Sequence, residues 1–204
     1  MSRPAYHHGD LPQQALQQAL DTLRAESDTA ISLRAIAKHI GVSAPALYRH
    51  FADRESLLAE LAITGFMLLR DRLRDRLRQV DQADSRHALL HIGLAYISFA
   101  EDEPNLYRLM FGGRILPKGA HPRLDEAGLE AFRVLEDTVA RGQSVGYLKP
   151  LPLPLMTATA WSMVHGLSEL TIDGHLPGAD IEPTLAESVL TLLLDGSRNE
   201  QQNQ

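Results

Sequence analysis

Apolar residues recur along almost the whole chain at three- and four-residue intervals, the spacing of one face of an α-helix. No long alternating run points to a sheet. Leu16, Ala19, Leu20 and Leu23 form the first stripe. Asp10 is placed to cap that helix, Pro12 suits its first turn, and Gln13 stands where a capping-box partner reaches back. After a polar break at 26–31, Ser32 is expected to cap a short helix over 33–40, with Leu33, Ile36, Ala37 and Ile40 inward. Gly41 ends it, because glycine enters the left-handed conformation at little cost. Ser43 starts a third short helix through Phe51, and Asp53 caps a fourth running to about Arg78. Further helices are predicted at 85–101, 104–111, 122–145, 155–173 and 181–198, separated by Gly- and Pro-rich breaks. The polar tail 199–204 is expected to be disordered.

Composition narrows the picture. Only 5 % of the 204 residues are aromatic, which disfavours a β-sandwich or barrel. The absence of cysteine excludes a disulfide scaffold, thiolate metal sites and a cysteine nucleophile, and fits a reducing compartment. No run approaches the roughly 20 apolar residues that span a bilayer. The first eight residues lack the apolar core of a secretory signal, so the chain is expected in the cytoplasm. The net charge of −6 speaks against a polyanionic partner until the chain is divided. Residues 1–83 carry 11 Lys and Arg against 10 Asp and Glu; residues 84–204 carry 9 against 16. The acidity lies in the second part, and the first is free to meet DNA.

Two short helices joined by a tight, glycine-containing turn form a helix-turn-helix pattern. Here they are 33–40, the turn Gly41-Val42-Ser43, and 44–51, with Ala37 small enough for the crossing. At 100° per residue, Ala44, Leu47 and Phe51 face the core, and Arg49 lies opposite with Pro45 and Ala46 beside it. Tyr48 and His50 take the flanks. In a major groove this aims Arg49, Pro45 and Ala46 at base edges and Tyr48 and His50 at the phosphate walls. Ser32 and Ser43 add neutral phosphate contacts. Arg34, Lys38, Arg54 and an arm of Arg3, His7 and His8 supply the charge that displaces counterions. A Tyr-Arg-His run is also compatible with an ordinary solvated edge.

The blocks His7-His8-Gly9-Asp10-Leu11, Ser32-Leu33-Arg34-Ala35-Ile36-Ala37, Gly41-Val42-Ser43, Leu47-Tyr48-Arg49-His50-Phe51 and Arg54-Glu55-Ser56-Leu57-Leu58 together resemble the N-terminal domain of the TetR family of bacterial transcriptional regulators. The likeness runs over about residues 6–62. Arg54 stands where the family usually has Lys, so the charge of a phosphate contact is kept with altered geometry. Trp161-Ser162-Met163-Val164-His165-Gly166 looks like the Trp-x-x-x-His-Gly signature of one TetR C-terminal type, the WHG domain. The resemblance implies an all-α homodimer that represses transcription and leaves its operator when a small molecule enters the C-terminal domain. It also implies a dimer interface built from the last two helices of each subunit.

The expected architecture is therefore a three-helix DNA-binding domain over 1–60, a helical ligand-binding and dimerisation domain over 61–198, and the tail. The operator is expected to be a palindrome of double-stranded DNA, matching a twofold dimer. Tyr107, Phe111, Phe132, Trp161 and His165 are the candidate ligand-binding residues. Aromatic residues on helices also serve as plain core, and His165 also suits a satisfied buried hydrogen bond. His87 and His91 have a metal-compatible spacing, but no further ligands complete a site, so neither metal nor other cofactor is expected. The Arg70–Arg78 alternation with Asp71 and Asp75 reads as solvated ion-pair surface, with a second DNA-contact face as the other possibility. No nucleophile–base pair or phosphate-cradling loop suggests an enzyme. The alternative function is a DNA-binding regulator of this fold with no small-molecule effector, controlled by a protein partner or by abundance.

Overall fold

The computed structural model describes residues 11–81, 84–112, 116–176 and 183–199, with side chains at 183 and 184 left out. Among these residues the chain is all-α: α1 (Leu11–Ala25), α2 (Leu33–His39), α3 (Ala44–Tyr48), α4 (Arg54–Gln79), α5 (Ser85–Asp102), α6 (Pro104–Phe111), α7 (Pro122–Ser144), α8 (Leu153–Ile172) and α9 (Pro183–Ser197). A single 3-10 turn, Asp28–Ala30, interrupts the polar break after α1. The Asp10 cap, the arm of Arg3, His7 and His8, and residues 200–204 lie outside the described residues.

The chain forms two compact units, one of residues 1–65 with 105–125, the other of 66–104 with 126–204. The division falls within α4. In the first unit, Ala15, Ala19, Leu20 and Leu23 of α1 are buried together with Ile31, Leu33, Ile36, Ala37, Leu47, Phe51, Leu57, Leu58 and Leu61. Each large aliphatic side chain removed from water contributes about 1.5–3 kcal/mol. The fragment 105–125 belongs here through specific bonds. Asn105 donates its amide to the carbonyls of Leu23 (2.9 Å) and Glu26 (2.6 Å), closing the C-terminal end of α1. Leu106 and Met110 press on Gly65, where a Cβ would stand 2.5 Å from the Met110 sulfur.

In the second unit α5 is the central helix. It buries residues all around its circumference, among them Leu89, Leu90, Ile92, Ala95, Tyr96, Ile97 and Phe99, as a helix covered on every side must. Helices α8 and α9 pack against it. Asp84 caps it, accepting a 3.0 Å bond from the His87 amide, while His87 Nδ1 closes on the same carboxylate at 2.5 Å. The loop after α7 turns back onto the end of α9. Lys149 takes the Ser197 carbonyl with its amide (3.0 Å) and the Gly196 carbonyl with its Nζ (2.7 Å), satisfying helix-end acceptors with a cation where the dipole favours one.

Candidate nucleic-acid interface

The helix-turn-helix is set by the way α2 ends. Gly41 adopts φ +75°. The Val42 amide then reaches the Ala37 carbonyl (2.9 Å) and the Gly41 amide reaches that of Lys38 (3.4 Å), a Schellman closure. This reverses the chain so that α3 packs on α2 and α1. Leu47 is wholly buried beneath α3, and Phe51 follows it into the core. With Leu47 inward, Pro45 and Tyr48 emerge on the solvent side, Tyr48 45 % exposed. Ala44 and Ala46 are half-buried at the flanks.

Two details differ from the sequence expectation. The third helix stops at Tyr48 rather than running through Phe51. The Leu47 carbonyl accepts both the His50 and Phe51 amides at 2.9 Å, which tightens the last turn and ends the helix. Arg49 and His50 are exposed on this turn. Ser32 and Ser43 occupy the N-cap positions of α2 and α3 in extended backbone, yet neither hydroxyl caps its helix. Both residues are exposed.

Asp53 does cap α4 as expected: its Oδ1 accepts from the Ser56 amide and hydroxyl, each at 2.7 Å. The Ser56 amide, then the hydroxyl, hold this carboxyl below the usual range. Arg54, next in sequence, folds back across the unit. Its Nε donates to the Ile31 carbonyl (3.1 Å), and one terminal nitrogen bonds the Asp28 carbonyl and carboxylate (3.0 Å to the latter). Most of its fork thus braces the segment between α1 and α2, a role no local sequence pattern signals.

The electrostatics of this surface are one-sided. Residues 29–52 contain Arg34, Lys38 and Arg49 and neither Asp nor Glu, in a chain whose net charge is −6. Arg34 and Lys38 are exposed on α2. All ten expected DNA-contact residues therefore belong to one unit. Ser32, Arg34, Ser43, Pro45, Tyr48, Arg49, His50 and Arg54 are exposed there, and Ala44 and Ala46 half-buried.

The five expected ligand residues fall into two groups. Tyr107 is fully buried in the first unit, its ring centroid 4.8 Å from that of Phe111. Phe132, Trp161 and His165 gather in the second, with ring centroids 5.7 Å apart for Phe132–Trp161 and 5.5 Å for Trp161–His165. Tyr96 joins them from α5, bonded to His165 Nδ1 at 2.9 Å and accepting from Trp161 Nε1 at 3.4 Å. Burial pushes the His165 pKa below its ordinary value, with Glu169 acting weakly in the opposite sense. The Arg70–Arg78 run is an ion-pair surface in large part. Arg70 binds Asp71 and Glu130 (2.6 Å to the latter), Arg72 binds Asp102 at 2.7 Å and lies over the Phe99 ring, and Arg78 binds Asp75.

An exposed helix-turn-helix with no Asp or Glu in residues 29–52 suits a DNA-binding protein. The family described as bacterial regulatory proteins, tetR family, matches residues 16–61, and tetracyclin repressor-like, C-terminal domain, matches residues 89–194. The chain belongs to the TetR family of transcriptional regulators. It is 33 % identical over 82 residues to an uncharacterised helix-turn-helix-type transcriptional regulator, YobS, of Bacillus subtilis, covering 40 % of this chain and 41 % of that one. The chain spans about half the length of the curated relatives it matches. A solved protein of unknown function from Rhodococcus sp. RHA1 superposes with a TM-score of 0.87 at 30 % identity, covering 96 % of this chain and all of that one. The TetR family regulator PfmR of Thermus thermophilus shares the fold, with a TM-score of 0.66 at 22 % identity over 89 % of this chain and 97 % of that one. Among the described residues, no helix is long and apolar enough to cross a membrane.

Proposed function

We propose that the chain acts as a homodimeric repressor that reads a palindromic operator through α3 and is released when a small molecule binds the C-terminal unit. The observation that carries the DNA reading is the exposed face of Pro45, Tyr48, Arg49 and His50 over the buried Leu47, flanked by Arg34 and Lys38 with no carboxylate in residues 29–52. Tyr48 and the cations hold phosphates, the exposed Ser32 and Ser43 hydroxyls add neutral contacts, and the small residues Ala44, Pro45 and Ala46 let the backbone approach base edges. The tetracyclin repressor-like match supports the sense of regulation.

Dimerisation is supported by the outer faces of α8 and α9. Leu155 and Leu170 on α8 and Leu185 and Leu192 on α9 are exposed in one chain, Leu192 by 76 %. Both helices already bury an inner face, so this second apolar face is free for a partner copy. A twofold dimer places two reader helices on half-sites about 34–36 Å apart. A ligand favouring another spacing would shift the population away from operator. Helix α4, which contributes to both units, is the element through which such a shift would act. Phe132, Trp161 and His165 are the candidate ligand contacts in the second unit, with Tyr107 and Phe111 in the first.

Selection of bound duplexes from a random library tests the reading. Enrichment of an inverted repeat with half-sites one helical turn apart is expected. Recovery of unrelated sequences would refute sequence-specific reading.

A further inference from the structure

We infer that Arg54 is a positioning residue for DNA reading, acting through the segment that enters α2, and not the phosphate contact that the family resemblance implies. A guanidinium takes a phosphate two oxygens at a time along one of two edges, Nε with Nη2 or Nη1 with Nη2. Both edges include Nη2, and that nitrogen is already committed. It donates to the Asp28 carbonyl and, at 3.0 Å, to the Asp28 carboxylate. Nε donates to the Ile31 carbonyl at 3.1 Å. The charge is answered too, since the Asp28 carboxylate forms an ion pair with it. A cation already paired in this way adds little to the counterion release that drives DNA binding.

What these bonds fix is the connector between α1 and α2. Two side chains from distant parts of the chain hold its backbone, one at each end, and all of these residues lie in the first unit. Asn105 of α6 takes the Leu23 and Glu26 carbonyls, and Arg54 of α4 takes those of Asp28 and Ile31. The Asp28 carbonyl also accepts the Ile31 amide at 3.0 Å, so the 3-10 turn and the guanidinium share one acceptor. Ile31 is buried. Ser32 follows directly, and its carbonyl accepts the Ile36 amide at 2.9 Å in the first turn of α2. The connector thereby sets where α2 begins and where its exposed Arg34 and Lys38 stand, and α3 packs on α2.

This role rests on the reading of DNA by α3, and its test separates the two. Fluorescence anisotropy follows binding of the full chain to a duplex enriched from the random library and to a scrambled duplex, each over a range of salt. Variants are compared where circular dichroism gives them wild-type helicity. Arg54→Gln is expected to lose about tenfold in affinity for the enriched duplex and little for the scrambled one. The slope of log affinity against log salt is expected to stay unchanged on both. A lost phosphate contact would instead weaken both duplexes alike and make the slope shallower by about 0.9 for each subunit. Arg54→Lys keeps the charge but cannot span both carbonyls, so it is expected to stay several-fold weaker than wild type on the enriched duplex. Asn105→Ala removes no charge and is expected to show the same selective loss at an unchanged slope. These two variants decide the matter even if Arg54→Gln does not fold. A residue that only stabilised the fold would leave the folded variants with wild-type affinity. That result, or a uniform loss with a shallower slope, would overturn the positioning role. Failure of wild type to prefer the enriched duplex would refute reading by α3 instead, and the slope on the scrambled duplex would still show whether Arg54 meets phosphate.

Discussion

The Tyr96 hydroxyl of α5 and Nδ1 of His165 on α8 lie 2.9 Å apart, with the Trp161 indole N–H directed at the same hydroxyl oxygen. An indole N–H only donates, so Tyr96 accepts there and turns its own proton to His165 Nδ1. That places the imidazole proton on Nε2 and favours the neutral ring, in agreement with the downward pull of burial on its pKa. The folded state thus binds protons at His165 less readily than the unfolded chain, whose value is about 6.5. Stability is expected to rise with pH through the interval below that value and to be lost as pH falls from it. Chemical denaturation at pH 7.5 and 5.5 checks this: wild type should lose more stability on acidification than His165→Gln. An equal loss in both proteins would contradict it.

Tyr96→Phe leaves the ring packed but removes the shared hydroxyl. The Trp161 N–H and His165 Nδ1 then lose a partner in a half-buried setting, at a cost of about 1–3 kcal/mol. Equilibrium denaturation gives the figure. A change in tryptophan emission should accompany it, since Trp161 is the chain's one tryptophan.

Arg54 braces the first unit through the Ile31 and Asp28 carbonyls. Arg54→Ala is expected to destabilise the chain by about 1.5–3 kcal/mol, as hydrogen bonds to a charged group are lost. Arg54→Lys should recover only part of this, because an ammonium cannot span both carbonyls as the planar fork does. Full recovery by lysine would show that charge alone matters.

Leu192 is 76 % exposed on α9, so Leu192→Glu is not expected to disturb the fold of one chain. It should yield monomers in sedimentation and abolish operator binding. A dimer surviving the substitution would place the interface elsewhere.

Features set by neighbouring residues were legible in the sequence. Gly41 and Asp53 each act through bonds within five residues of themselves, and both behave as their chemistry dictates. The inward course of Leu33, Ile36 and Leu47 followed from periodicity alone. The end of α3 did not, because Arg49 and His50 carry no stop signal, although the Leu47 carbonyl there accepts two amides at once. Arg54 meets residues 23 and 26 positions away, and Asn105 closes α1 from about 80 positions along. Such bonds leave no periodic trace. The aromatic–histidine cluster was half legible: Trp161 and His165 share a helix face at four-residue spacing, whereas Tyr96 reaches them only through the packing of α5 on α8.

The central claim is that α3 reads DNA. Fluorescence anisotropy of the duplex lying upstream of the chain's own coding region, titrated at two salt concentrations against a scrambled duplex, tests it most directly when wild type and Tyr48→Ala are compared. Wild type is expected to bind the native duplex selectively, with affinity falling as salt rises, and Tyr48→Ala to lose about tenfold or more while keeping its helicity and dimeric state. Undiminished selective binding by Tyr48→Ala would contradict the assignment of α3 as the reader.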